Sequence, residues 1–200
     1  QAVDVGRVHA RRLGFAQQAF GARAVPHLAR QLGQVVEHGR GAEVVGQLDT
    51  ELEIVALFTP GHSADHVCFL SAPGLGVPCF SGDLILGWGS TYVPPDGGSL
   101  ASYLDSLRLL QRWRPGLICP GHGPWITDAA GKITEYIEHR EARENGLLEA
   151  LARGERSRMA LLEEVWSDVP EQLRPAANVV MEAHLQKLEA EGRLPEDLAE

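Results

Sequence analysis

From residue 51 onward, short apolar runs alternate with stripes of helical period. ELEIVALF (51–58) alternates at first and then becomes continuously apolar, which predicts a strand packed on at least one face. VCFLSA (67–72) is a second strand, PGLGVP a turn, and CF leading into SGD (79–83) a third, short strand. Residues 84–98 are a Gly/Pro-rich loop, too irregular for a core and placed to shape a cleft. Ser99 can cap a helix whose stripe is Leu100, Tyr103, Leu104, Leu107, Leu110 and Trp113. LIC (117–119) is the next strand, and Asp128 caps a helix running through Ile133, Ile137 and HREAR (139–143). This strand–helix–strand rhythm predicts an α/β domain with helices packed on a sheet.

From about residue 145 the pattern is wholly helical. Leu147, Leu148 and Leu151 end one helix near Gly154, and Ser157 can cap the next. Pro170 or Pro175 starts another, with Ala177, Val180, Met181, His184, Leu185 and Leu188 on one face and Gly192 ending it. The expected organisation is a domain over residues 1–144 and a small winged-helix-like helical domain over 145–200. Residues 1–45 are weakly patterned: Phe15, Ala19 and Phe20 can share one helical face, and Leu28, Leu32 and Val35–Val36 another, with Pro26 starting the second helix.

Composition narrows the function. The net charge of −9 argues against general nucleic-acid binding. The helical tail from residue 140 carries eight basic against fourteen acidic residues, a poor footprint for DNA, so it is expected to pack or to shape a cleft. Cys68, Cys79 and Cys119 have no CxxC spacing and read as buried thiols of a reducing, cytoplasmic protein. No apolar run is long enough for a membrane span. His184 falls on an apolar face and is expected in a core.

Three Gly-containing turns carry the chemistry. TPGHSADH (59–66), SGD (81–83) and PGHG (120–123) set His62, Asp83 and His122 just after predicted strands. Two imidazoles and a carboxylate suit Zn²⁺, and tight turns let backbone come close to an ion. The three motifs, in order and spacing, resemble the later motifs of the metallo-β-lactamase superfamily. HREAR and the helical tail are similar to its β-lactamase-like protein 2 branch.

That resemblance implies an αββα sandwich and two zinc ions with a bridging hydroxide. It assigns His62 to the first metal, Asp83 to both and His122 to the second, with catalysis resting on the same three residues. Asp65 and His66 would orient ligands. Thr91, Tyr92 and His139 are expected at the cleft, against a plain packing role for His139 beside Arg140 and Arg143.

The superfamily's HxHxDH segment is not found; VHARRLG (8–14) has one histidine and no acid in register. The sandwich is therefore expected to be incomplete at its N-terminal side, with each metal site half-built and an oligomer covering exposed apolar surface. The first residue, Gln1 rather than Met, fits a fragment, a processed product or an incompletely recorded N-terminus. The missing segment fits the C-terminal portion of a complete zinc hydrolase or a divergent version of one. The leading function is a zinc hydrolase acting on an ester, thioester, lactone, lactam or RNA phosphodiester. The competing one is a catalytically impaired remnant serving as a binding scaffold.

Overall fold

A computed structural model of the chain describes residues 42–49, 52–72 and 76–198, with side chains over 54–70 and 76–198. The readings made on residues 1–41 lie outside it. Five strands form one sheet in sequential order: β1 (Ala42–Asp49), β2 (Leu52–Phe58), β3 (Val67–Ala72), β4 (Pro78–Gly82) and β5 (Leu117–Pro120). The first four run antiparallel, and β5 lies parallel to β4. A parallel pair needs a crossover, and helix α1 (Leu100–Trp113) supplies it.

This topology has one consequence for function. Two antiparallel steps make β2 parallel to β4, so β2, β4 and β5 all end on the same side of the sheet. The turns holding His62, Asp83 and His122 follow these three ends.

Val55, Leu57, Leu70, Cys79 and Ile118 on the sheet meet Tyr103, Leu107 and Leu110 of α1 in the main core. Ile133, Tyr136 and Ile137 of helix α2 (Ala129–Ala152) complete it. Ile54 and Ala56 are buried too, so both faces of β2 are covered. The Ser99 side chain accepts from Ser102 N–H and Asp128 accepts from Gly131 N–H, each satisfying a donor that a helix start leaves open.

Helix α2 is 24 residues long, about 36 Å at 1.5 Å per residue, and passes through residue 144 without a break. Its second half enters another core with helices α3 (Arg158–Val165) and α4 (Arg174–Ala190). There Leu147 and Leu151 meet Leu161, Trp166, Met181, Leu185 and Leu188. Lys187 and Arg193 reach Glu144 at 2.8 and 3.3 Å, tying α4 and the residues after it to α2. No helix among the described residues is long and apolar enough to cross a membrane.

His184 is buried with its ring edge-to-face on Trp166, and neither ring nitrogen has a hydrogen-bond partner. Burial, then the positive Arg140, Lys187, His139 and Arg143, hold its pKa down at about 3, against an ordinary 6.5. The unfolded chain therefore takes up a proton that the folded chain refuses. Stability from this group is complete above about pH 6.5 and falls as pH drops toward 3. His184→Leu should flatten the loss of melting temperature between pH 7 and pH 4. Parallel curves for the variant and the parent would exclude His184 as the source.

Candidate metal centre

The three turns meet because glycine lets backbone touch backbone. Gly61, at φ +143°, lies so close to helix α1 that an added Cβ would stand 2.3 Å from Tyr103 Cα. Ser99 N–H donates to Gly61 O at 2.9 Å, and Ser106 Oγ donates to Pro60 O at 2.7 Å. These contacts seat the His62 turn on α1. Gly121 N–H donates to Gly82 O at 2.8 Å, joining the ends of β4 and β5. A Cβ at Gly121 would sit 2.9 Å from Asp83 Oδ1. Gly87 N–H donates to His122 O at 2.9 Å, with Gly87 packed on Gly123 and Pro124.

The resulting geometry is a carboxylate between two imidazoles. His62 Nε2 stands 3.8 Å from Asp83 Oδ2, and His122 Nε2 stands 3.6 Å from Asp83 Oδ1. Both gaps are too long for hydrogen bonds. Asp83 Oδ1 is buried with no hydrogen-bond partner, although the side chain as a whole is 38% exposed.

The tautomer of His62 sharpens the picture. Its Nδ1 lies 2.7 Å from the Tyr92 carbonyl, which can only accept, so Nδ1 carries the hydrogen. In the neutral ring Nε2 then presents a lone pair to a carboxylate oxygen. Two electron-rich atoms facing each other across 3.8 Å are the donor arrangement a cation resolves. Nitrogen and oxygen donors of this kind fit Zn²⁺. Among the described residues no three of His, Cys, Asp and Glu are drawn into a closed ligand cluster. The arrangement is an open line of donors.

His66 packs its ring edge-on to His62, with centroids 6.3 Å apart, and its Nδ1 lies 2.9 Å from Thr59 Oγ1. Burial lowers its pKa, but the Cys68 hydrogen bond and charge, the Asp83 charge and Thr59 carry it above the ordinary histidine value. Asp65 accepts from Ser63 Oγ at 3.0 Å, within the turn. Thr91 is buried rather than facing solvent; its Oγ1 lies 3.0 Å from Asp83 O and 3.1 Å from Leu84 O, both acceptors. Tyr92 contributes its carbonyl to His62 and leaves its ring partly exposed. His139 lines a groove along α2 with Thr134, Glu135 and Glu138. Burial, then Arg140 and Arg143, lower its pKa.

Two features escape a reading of the sequence. Trp88 and Trp125 follow the touching Gly87 and Pro124 and are 66% and 71% exposed. Each is next in chain to a residue of the contact between the loops that follow Asp83 and His122. The other feature is the set of side chains under residues 84–92. Tyr103 Oη donates to Leu84 O, Tyr136 Oη to Gly89 O, and Arg140 to Ser90 and Thr91.

Residues 157–197 match the β-lactamase associated winged helix domain. The β-lactamase-like protein 2 homologue of Drosophila melanogaster is 38% identical over 139 residues, covering 68% of this chain and 45% of that protein. The chain is similar to the C-terminal portion of metallo-β-lactamase superfamily proteins. The lactamase-like protein nscB of Arthroderma gypseum is 42% identical over 98 residues, covering 49% of this chain and 29% of that protein.

Solved metallo-β-lactamase folds agree. A β-lactamase domain protein from Burkholderia ambifaria matches with a TM-score of 0.62 at 24% identity, over 88% of this chain and 58% of that one. A metallo-β-lactamase family protein from Thermus thermophilus matches with a TM-score of 0.56 at 23% identity, over 94% of this chain and 61% of that one. The chain spans about half the length of the curated relatives it matches, or less.

Proposed function

We propose that the chain contributes the His62–Asp83–His122 part of a zinc-dependent hydrolase site acting on a small ester, thioester or lactone. The observation that carries this reading is the Asp83 carboxylate facing two imidazole nitrogens, with Oδ1 buried and unpartnered. His62 would hold one ion and His122 a second, with Asp83 between them. Bound zinc supplies an acidified water and a Lewis acid for the scissile carbonyl.

The chain's own residues do the rest. The Tyr92 carbonyl fixes the His62 tautomer, so that Nε2 keeps its lone pair toward Asp83. Gly121 allows the β5 turn to close on the carboxylate. The exposed rings of Trp88, Tyr92 and Trp125 offer an apolar rim for an uncharged acyl or aryl group. With a net charge of −9, that rim favours such a substrate over an RNA phosphodiester.

The test is a zinc-supplemented assay of p-nitrophenyl esters, an aryl thioester and a short single-stranded RNA. Ester or thioester hydrolysis is expected, falling in His62→Ala by more than about 100-fold, beyond the loss of an outer-shell partner. Trp125→Ala should raise KM for aryl substrates with little change in kcat. Cleavage of RNA alone would contradict the substrate class. Hydrolysis indifferent to His62→Ala would contradict the site.

A further inference from the structure

We propose that Arg140, on helix α2, is a positioning residue that holds the Asp83–Tyr92 loop and through it fixes the orientation of His62. Its side chain is among the most deeply buried in the chain, with 2% of the residue exposed. One Nη2 donates to Ser90 Oγ at 2.9 Å and to the Thr91 carbonyl. The guanidinium lies over the Tyr103 ring, 5.6 Å from its centroid.

Burying a guanidinium is expensive unless a carboxylate pairs with it. Here, after burial itself, the groups acting on Arg140 most strongly are Tyr103, Tyr136 and Arg143, and no carboxylate is among them. An apolar residue of similar length would fill the same space at lower cost. What the arginine adds is donors aimed at two successive loop residues.

The loop passes this constraint on. Thr91, whose carbonyl Arg140 holds, directs its Oγ1 to Asp83 O and Leu84 O. The next residue, Tyr92, gives its carbonyl to His62 Nδ1 at 2.7 Å. Arg140 thus sits one residue from the group that sets the His62 tautomer and is joined through Thr91 to the backbone of Asp83. Helix α2 also bears Arg143, which grips Asp168 at 2.8 Å through both nitrogens, close to the Trp166 ring. One helix therefore holds the loop at Arg140 and the appended helical unit at Arg143.

The inference rests on the reading of His62 and Asp83 as metal ligands, so its test includes readouts that need no metal. Arg140→Met, Arg140→Lys and the control Leu147→Ala, which weakens only the second core, are compared with the parent chain. Hydrogen exchange of residues 84–92 and the ¹⁵N shifts of the His62 ring are measured without zinc. Zinc affinity is then measured by titration.

Arg140→Met should speed exchange in the loop, mix the His62 tautomers and weaken zinc binding about 10- to 100-fold, the range for loss of a ligand's supporting partner. Arg140→Lys should restore part of each, and Leu147→Ala should change none. Unchanged loop exchange, or an unchanged His62 tautomer, in Arg140→Met would overturn the proposal. A parent chain with the stated loop and tautomer behaviour but no zinc uptake would defeat the functional reading while leaving the Arg140 clamp intact.

Discussion

Gly61→Ala lowers the melting temperature of the chain by roughly 6–12 °C, the shift expected for a loss of about 3 kcal/mol in a domain of this size. Two independent penalties act at this position. The backbone stands at φ +143°, a conformation that side-chain-bearing residues rarely adopt. The added methyl carbon would also lie 2.3 Å from Tyr103 Cα and 2.6 Å from Tyr103 N, both backbone atoms of a helix that cannot shift alone. Helix α1 would have to lift, losing the Ser99–Gly61 and Ser106–Pro60 hydrogen bonds and loosening Tyr103 and Leu107 in the core. His62 would move with its turn. Differential scanning calorimetry checks this, and a shift below about 2 °C would mean that the turn does not pin α1.

Much of this architecture was legible because it follows from local pattern. Strands β2 to β5 and helix α1 appear where apolar runs and the Leu100–Trp113 stripe place them. Ser99, Asp128 and Ser157 cap the helices expected of them. Strand β1 was not legible: AEVVGQLD has a glycine in its middle, and its register shifts between Val44 and Gly46 and between Gln47 and Asp49. Such irregularities blur the period of two. Helix α2 runs unbroken from HREAR through Asn145-Gly146, a pair that locally favours a turn, to Ala152. In the fold that glycine makes room for α3: a Cβ at Gly146 would meet Val165 Cγ1 at 3.2 Å. Tertiary packing outweighs the local signal there.

The site divides in the same way. His62, Asp83 and His122 announce themselves by strand-end turns, and the sheet topology brings them together. The burial of Arg140 has no local signature, since an arginine in a helix is ordinarily a surface residue. Thr91 read as a cleft residue from its loop, but its hydroxyl is turned inward onto the loop's own carbonyls. Trp88 and Trp125 are placed by the contact of Gly87 with Pro124, which no local sequence pattern reveals.

The largest effect on function is expected at Asp83. The carboxylate faces both imidazoles, so Asp83→Asn removes the shared charge while keeping the shape. In the zinc-free chain this change should be neutral or stabilising, because Oδ1 is a buried acceptor with no partner. The same change should nearly abolish metal affinity. A residue that favours binding at the expense of the empty fold behaves in this way.

Thermal melting of the parent and Asp83→Asn chains, each with and without excess zinc, therefore tests the metal centre most directly. At a zinc concentration about 100-fold above Kd, the parent chain should gain about 2.7 kcal/mol, or roughly 5–11 °C. The Asp83→Asn chain should melt no lower than the parent without zinc and should gain less than about 1 °C with it. Equal zinc shifts in the two chains, or none in the parent, would contradict a metal site built on His62, Asp83 and His122.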